Sequence, residues 1–141
     1  MVRARIRRRE EDGASAVEFA LLVIPLCLLL FGIITYAYMF SVRQALTQAA
    51  AEGARAAAVA KTDPNAAAIA AVNRAVSGTG NLSCNTNGLT CTSAVAPCGS
   101  AAAQCATVTV RLDYGAFDPF DIPLIPMPNT LSFTSSAEIN P

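Results

Sequence analysis

The feature that most constrains this chain is an apolar run from Phe19 to Phe40 that contains no charged residue. The run is 22 residues long and consists mostly of Leu, Ile, Val, Phe and Ala. A helix needs about 20 such residues to cross a bilayer, whereas the apolar core of a secretory signal has only about 7–15. Tyr36, Tyr38 and Met39 near its end suit a membrane–water interface. The run therefore predicts a transmembrane helix over residues 19–40 that remains in the mature protein.

Charge is distributed unevenly on the two sides of this run. The whole chain has a formal net charge of zero, which disfavours nucleic acid as a partner. Residues 1–12, however, contain five arginines and three acidic residues, so this segment carries a net charge of +2. Positive residues tend to stay on the cytoplasmic side of a membrane. We therefore expect a cytoplasmic N-terminus and an exported C-terminal part.

The composition argues against an enzyme. The chain has no histidine, the side chain that most often acts as a general base near neutral pH. The sequence patterns of serine hydrolases, zinc proteases and phosphate-binding loops are also absent. No C-x-x-C pair, the usual spacing of a zinc site, occurs among the cysteines. We expect no catalytic residues, no cofactor and no metal.

Four cysteines follow one another at seven-residue spacing in the C-terminal part: Cys84, Cys91, Cys98 and Cys105. Glycine, proline and asparagine between them exclude a long helix with a heptad repeat. Four cysteines in an exported region are most simply explained by two disulfides. Three pairings are open, and we favour Cys84–Cys91 with Cys98–Cys105.

Alanine-rich sequence continues beyond the apolar run, and we predict one helix over residues 14–60. Its outer part has small residues at four-residue spacing, among them Ala49, Gly53 and Ala57. Small residues let helix backbones approach closely. Two interpretations stay open: this surface covers the sheet of its own domain, or it bundles with neighbouring subunits.

The remaining sequence predicts a second helix and a small antiparallel sheet. Asp63 is a suitable N-cap, and Pro64 suits the first helical position. Apolar and polar residues alternate over 106–114 and, more weakly, over 130–139, which indicates two strands. Between them, residues 115–129 contain four prolines and six large apolar residues, so this loop is either a contact surface or packs on the domain's own core. The predicted class is α+β, stabilised by the disulfides.

The sequence around Glu18 carries a family resemblance. Glu18 directly precedes the apolar run, where a carboxylate at membrane depth is unfavourable unless it is paired. The segment GASAVEF, from Gly13 to Phe19, resembles the processing site of type IV prepilins of tight-adherence pilus systems: a glycine, four residues, a glutamate and an aromatic residue. Together with the later motif E-G-A-R-A, it makes Gly13–Ala58 resemble the TadE-like minor pilin family.

The resemblance implies a particular processing and assembly chemistry. A prepilin peptidase on the cytoplasmic side would cleave after Gly13, so that Ala14 becomes the first residue and Glu18 the fifth. Glu18 of one subunit would pair with the new α-ammonium group on Ala14 of another subunit, which would set their axial register. Phe19 belongs to the same assembly motif.

The resemblance also implies a location, partners and a function. The chain would be a single-pass protein of the bacterial cytoplasmic membrane, with a removed leader over 1–13, the long helix over 14–60 and an exported domain over 61–141. Its partners would be other pilins or pseudopilins, the prepilin peptidase, the inner-membrane assembly platform and the lipid bilayer. The function would be that of a minor pilin in the priming, tip or regulation of a tight-adherence pilus. The alternative is a membrane-anchored envelope binding domain that never enters a filament.

Overall fold

A computed structural model describes residues 3–99, 103–120 and 125–139, with side chains described from residue 13 onward. These residues form an α+β fold, as predicted. Its elements in chain order are α1 (Arg3–Val59), α2 (Pro64–Val76), β1 (Leu89–Pro97), β2 (Gln104–Asp113), α3 (Tyr114–Phe117) and β3 (Thr130–Ile139). The chain divides into two compact units, Met1–Tyr38 and Met39–Pro141.

The first unit contains the N-terminal part of α1. The helix begins at Arg3, so it includes most of the segment expected to be the leader as well as the predicted helix. Large apolar side chains are exposed along it, for example Phe19 with 68% of its surface accessible. Among the described residues, Gly13–Val59 contains the one helical segment that is long and apolar enough to cross a membrane, with a hydropathy of 2.7. A helix that is apolar on all sides is typical of a membrane span.

The second unit is built on a three-stranded antiparallel sheet with β2 in the centre. At one end Leu112 of β2 pairs with Leu89 of β1 and Leu131 of β3, and at the other end Gln104 pairs with Pro97 and Ile139. The alternation predicted for β2 is confirmed, because its apolar set is buried and every residue between is at least partly exposed. The buried set is Ala106, Val108, Val110, Leu112 and, at the start of α3, Tyr114.

The first strand was not predicted. The sequence excludes a long helix over residues 84–105 and indicates no strand there, whereas Leu89–Pro97 forms β1 and pairs with β2 from Gln104 to Leu112. Only Leu89 and Cys91 of this strand are buried, and most of its other residues are exposed. A strand that buries so little has a weak apolar alternation in its sequence. The neighbouring asparagine and glycine residues are typical of turns, so they favour a loop assignment over a strand.

The proline-rich loop is partly described. It begins with the short helix α3, and the Phe117 ring at its end packs beside Gly80, where a Cβ on Gly80 would lie 2.6 Å from Phe117 Cζ. Phe120 is 40% exposed. Residues 121–124 of this loop lie outside the described residues. Phe117 therefore supports the interpretation that the loop packs on its own domain.

Two helical segments cover one face of the sheet. A Cβ on Gly53 of α1 would lie 2.8 Å from Val72 Cγ2 of α2 and 3.2 Å from Val108 Cγ1 of β2. The small residues around Gly53 are also buried; these are Ala49, Ala50, Ala54 and Ala57. The small-residue surface therefore packs within its own domain, which is the first of the two interpretations left open by the sequence.

The start of α2 agrees with the sequence. Its N-cap is Asp63, whose carboxylate accepts a hydrogen bond from the backbone N–H of Ala66 at 3.0 Å, and Pro64 is its first residue. This bond satisfies one of the free N–H groups at the helix N-terminus. The helix directs Val72 and Val76 into the core, where both are fully buried.

Two disulfides hold the ends of β1. Cys84 is bonded to Cys91, with Cα atoms 5.3 Å apart, and Cys98 is bonded to Cys105, with Cα atoms 5.7 Å apart. This is the pairing that the sequence favours. Each bond closes a short loop and stabilises the fold by about 2–3 kcal/mol in the chain-entropy account. Cys98–Cys105 joins the end of β1 to β2, whereas Cys84–Cys91 joins β1 to the segment that precedes it.

Candidate processing and assembly segment

The residues of the predicted processing site share one face of α1. Gly13, Ala14, Val17, Glu18 and Leu21 line a surface groove of about 580 Å³. Their spacing, one and four residues apart, is that of neighbours on a helix surface. The structure therefore brings Gly13, Ala14 and Glu18 together. Phe19, the next residue after Glu18, is not among the residues that line the groove.

Glu18 presents its carboxylate on the surface of the helix. Its side chain is exposed, and among the side chains described from residue 13 onward no cation lies within ion-pair distance of it. A carboxylate at the edge of an apolar span is unfavourable there unless a cation or hydrogen-bond donor satisfies it. This arrangement leaves the carboxylate accessible to a group from another molecule.

Gly13 has no packing role among the residues whose side chains the structure describes. A Cβ added to it would meet nothing within 4 Å. A helix with glycine in its interior is less stable than the same helix with alanine at that position, by about 0.5–1 kcal/mol. The peptide bond between Gly13 and Ala14 therefore lies in an exposed part of α1, at a residue that lowers helix stability. Local opening is what a peptidase needs to reach a bond that is helical in the intact chain.

Cleavage at this bond would change the charge of the groove. In the intact chain the Ala14 nitrogen is an uncharged amide within α1. After cleavage it would be an α-amino group, which has a pKa of about 7.7–8.0 in model compounds and is mostly protonated at neutral pH. The groove would then offer an ammonium group at Ala14 and a carboxylate at Glu18, one helical turn apart, to neighbouring chains.

The motif E-G-A-R-A has two separate faces in the structure. Glu52 and Arg55 form an exposed ion pair with a nitrogen–oxygen distance of 3.6 Å. Gly53 and Ala54 lie on the opposite side and are buried. An ion pair this exposed contributes little to stability. The part of the motif that the fold requires is therefore the pair of small residues.

Asn73 has a structural role that the sequence does not predict. The side-chain oxygen of Asn73, on α2, accepts hydrogen bonds from the Cys84 backbone N–H at 2.7 Å and from the Ser83 hydroxyl at 3.3 Å. Asn73 thus fixes the point where the chain enters the first disulfide loop. The only signal in the sequence is a polar residue between the apolar Val72 and Val76, which by itself does not indicate its partner.

The described residues offer no metal site, since they contain no group of three or more His, Cys, Asp or Glu side chains placed to hold an ion. The four cysteines of the second unit are all in disulfides, and Cys27 of the first unit is a free, exposed thiol.

Comparison with known proteins bears on the same segment. No curated protein and no solved structure matches the chain. A match to a family model begins at residue 13 and ends at residue 55. It therefore includes the groove residues, the apolar run and most of the E-G-A-R-A motif, and it ends before α2. Over residues 13–55 the chain is similar to the family described as TadE-like protein, which confirms the resemblance found in its sequence.

Proposed function

We propose that this chain is a minor pilin of a tight-adherence pilus, with a structural role in priming, tip formation or regulation of the filament. The observation that carries this proposal is the TadE-like match over residues 13–55. It coincides with the part of α1 whose apolar side chains are exposed and which is long enough to cross a membrane. The similarity to a family of pilus-associated proteins is consistent with a membrane anchor in the same segment.

The proposed processing follows from the same segment. A prepilin peptidase cleaves after Gly13 and removes the leader over residues 1–13. Ala14 then carries the new ammonium group, and Glu18 carries a carboxylate on the same face of the helix. A charged residue in the middle of a bilayer costs about 2.5–3.5 kcal/mol, and less near the interface. Pairing of Glu18 with the Ala14 ammonium of a neighbouring subunit offsets this cost and sets the register between subunits.

The proposed topology places the second unit outside the cytoplasm. Its two disulfides support this placement, because disulfides persist in oxidising compartments and are rare in the cytoplasm. The arginine-rich segment before the span supports a cytoplasmic N-terminus. In this topology the partners are the bilayer, the prepilin peptidase, the inner-membrane assembly platform and other pilins.

A second candidate function is a membrane-anchored envelope domain that binds a partner without entering a filament. The observation that favours it is the size of the second unit, Met39–Pro141, most of which lies outside the TadE-like match. Processing separates the two functions, since an anchor alone does not require cleavage after Gly13.

The test is the N-terminus of the protein in membranes of cells that also contain the matching prepilin peptidase. We expect a mature chain that begins at Ala14, and we expect Gly13→Leu to prevent its formation. Gly32→Leu is the matched control, because a Cβ on Gly32 also meets nothing within 4 Å and lies in the same helix. A chain that still begins at Met1 in the presence of the active peptidase would overturn the pilin proposal.

A further inference from the structure

The sheet has two edges, and the hydrogen-bond pattern shows which backbone groups each edge presents. The N–H of Asp113 bonds to the C=O of Gly88 at 2.9 Å, and the N–H of Cys98 bonds to the C=O of Ala103 at 3.0 Å. Both pairs continue the register of β1 with β2, so the odd-numbered residues of β2 bond to β1 and its even-numbered residues bond to β3.

The same rule assigns the groups of β3. Its odd-numbered residues are opposite the even-numbered residues of β2 and bond to them. The even-numbered residues direct their N–H and C=O groups away from β2. The close contact between the Thr109 and Thr134 hydroxyls, at 2.9 Å, agrees with this assignment, because side chains are nearest in pairs without backbone bonds. The outward-directed residues of β3 are Thr130, Ser132, Thr134, Ser136 and Glu138.

The outer edge of β1 is restricted at its two ends by its own residues. The N–H of Leu89 donates a hydrogen bond to the C=O of Thr86 at 2.9 Å, and the C=O of Leu89 accepts one from the N–H of Asn85 at 2.7 Å. In the middle of the strand, the Ser93 hydroxyl bonds to the side chain of Asn65 on α2 at 2.9 Å. Pro97, at the other end, has no N–H to offer. Pairing of another strand along this edge is therefore restricted at both of its ends, at Leu89 and at Pro97.

The outer edge of β3 has none of these features. Within the described parts of the chain, no backbone group bonds to the outward N–H and C=O groups of its even-numbered residues. The side chains of these residues are exposed, and all but Glu138 are small hydroxyl residues. Proteins usually protect a long edge strand with lysine, proline or a bulge. A ten-residue edge without such protection is suited to pairing.

Two charged side chains lie along this edge. The guanidinium of Arg43 on α1 lies 5.7 Å from the centre of the Phe133 ring, on the helix-covered face of the sheet. Arg43 is exposed and lines a groove of about 370 Å³ with Phe40, Gln44, Thr47 and Gln48. Glu138 lies five residues further along β3 and faces the opposite side of the sheet. A strand beside β3 would therefore meet a positive charge near Phe133 and a negative charge near Glu138.

We propose that the outer edge of β3 binds an extended segment of a partner protein, which joins the sheet as a fourth, antiparallel strand. The segment carries an acidic residue where it passes Arg43 and a basic residue where it passes Glu138. Small or β-branched residues occupy the positions between, because the adjacent side chains of β3 are small. The bonds to Ser132, Thr134 and Ser136 supply the affinity, and the two charges select the direction and register.

A designed peptide is the probe for this edge. In the peptide VKVTVTETV, antiparallel pairing places the lysine opposite Glu138 and the glutamate opposite Phe133, beside Arg43. The control peptide VEVTVTKTV has the same composition with the two charges exchanged. Binding to the full-length chain in detergent micelles is measured by the hydrogen-exchange rates of individual backbone amides. We expect the first peptide to protect the amides of Ser132, Thr134 and Ser136 and to leave the amides of Ser93 and Val95 unchanged.

Two variants, one of them with a matched control, test the backbone bonds and the charge contacts separately. Thr134→Pro removes an outward N–H without removing a bond to β2, and we expect it to weaken binding of the first peptide by at least about tenfold through the lost bond and the ring clash. Val95→Pro removes an outward N–H from β1 and is the matched control, with no expected effect. Arg43→Glu combined with Glu138→Lys should reverse the preference, so that VEVTVTKTV binds more tightly.

Several results would overturn the proposal. They are an absence of protection by either peptide, equal protection of both edges, and binding that is unaffected by Thr134→Pro. Protection of the β3 amides that rises with protein concentration in the absence of peptide would assign the edge to a second copy of this chain instead. Thermal unfolding of each variant verifies that the domain is folded, and the charge reversal gives an answer even if Thr134→Pro does not fold.

Discussion

Gly53 of α1 and Val72 of α2 approach so closely that a Cβ on Gly53 would lie 2.8 Å from Val72 Cγ2. Val108 of β2 closes the same space from the sheet, at 3.2 Å. The two helices and the central strand therefore meet at a glycine, which has no side chain. Gly53 lies within a regular helix, so its backbone conformation does not call for glycine. Glycine is required here because there is no space for a side chain.

The first prediction follows from this contact. Gly53→Ala should destabilise the second unit by about 1–3 kcal/mol, because the added methyl group forces the valines to move. Part of this cost is offset, since alanine is favoured over glycine in a helix by about 1 kcal/mol. Urea unfolding of the two proteins in the same detergent measures the difference. Gly78→Ala is the control, since its Cβ would meet nothing within 4 Å. Equal stability of Gly53→Ala and the unchanged protein would contradict the close packing.

The second prediction concerns Asn73. Asn73→Ala should lower the free energy of unfolding by about 1–3 kcal/mol, because it leaves the Cys84 N–H without its acceptor in a partly buried position. Asn65→Ala is the matched control on the same helix; its bond to Ser93 is exposed, so we expect a smaller loss, below about 1 kcal/mol. Denaturant unfolding compares the two. A loss that is larger for Asn65→Ala would show that Asn73 does not hold the disulfide loop.

The third prediction concerns the thiols. Without reductant, a maleimide should leave Cys84, Cys91, Cys98 and Cys105 unlabelled in the detergent-solubilised protein, since these four cysteines are in disulfides. On titration with reductant, the Cys98–Cys105 bond should open first, because both of its residues are partly exposed, whereas Cys91 is only 7% exposed. Mass spectrometry of labelled peptides gives the order. Labelling of Cys84 or Cys91 before Cys98 would refute the order expected from burial.

The fourth prediction concerns Glu18 in assembly. Glu18→Ala should be cleaved and inserted like the unchanged protein, since it makes the span more apolar. Its incorporation into pili should fall, because the Ala14 ammonium of the neighbouring subunit would be left without a partner. Glu18→Asp should be intermediate. Crosslinking to other pilins and counts of surface pili measure the effect, with Glu52→Ala as the control for loss of an exposed carboxylate. Normal incorporation of Glu18→Ala would show that Glu18 has no role in assembly.

The sequence by itself determined the features that depend on neighbouring residues. The apolar run predicts a membrane span because length and polarity decide membrane insertion, whatever the rest of the chain does. Asp63 and Pro64 predict the start of α2 because capping is completed within one helical turn. The alternation over β2 predicts a half-buried strand because it is the central strand, and one whole face is covered.

Only the tertiary structure decided which surfaces are covered and which are open. The small residues around Gly53 are equally suited to a neighbouring subunit or to the chain's own α2 and sheet, and the close approach of Val72 and Val108 selects the second. Strand β1 is defined by its pairing with β2 and by two crosslinks, and its own sequence has too little apolar alternation to predict it. The open edge of β3 is likewise a property of strand order. Backbone hydrogen bonds form between residues that are distant in the chain, so the groups of Thr134 that remain free are known only once the strands are paired.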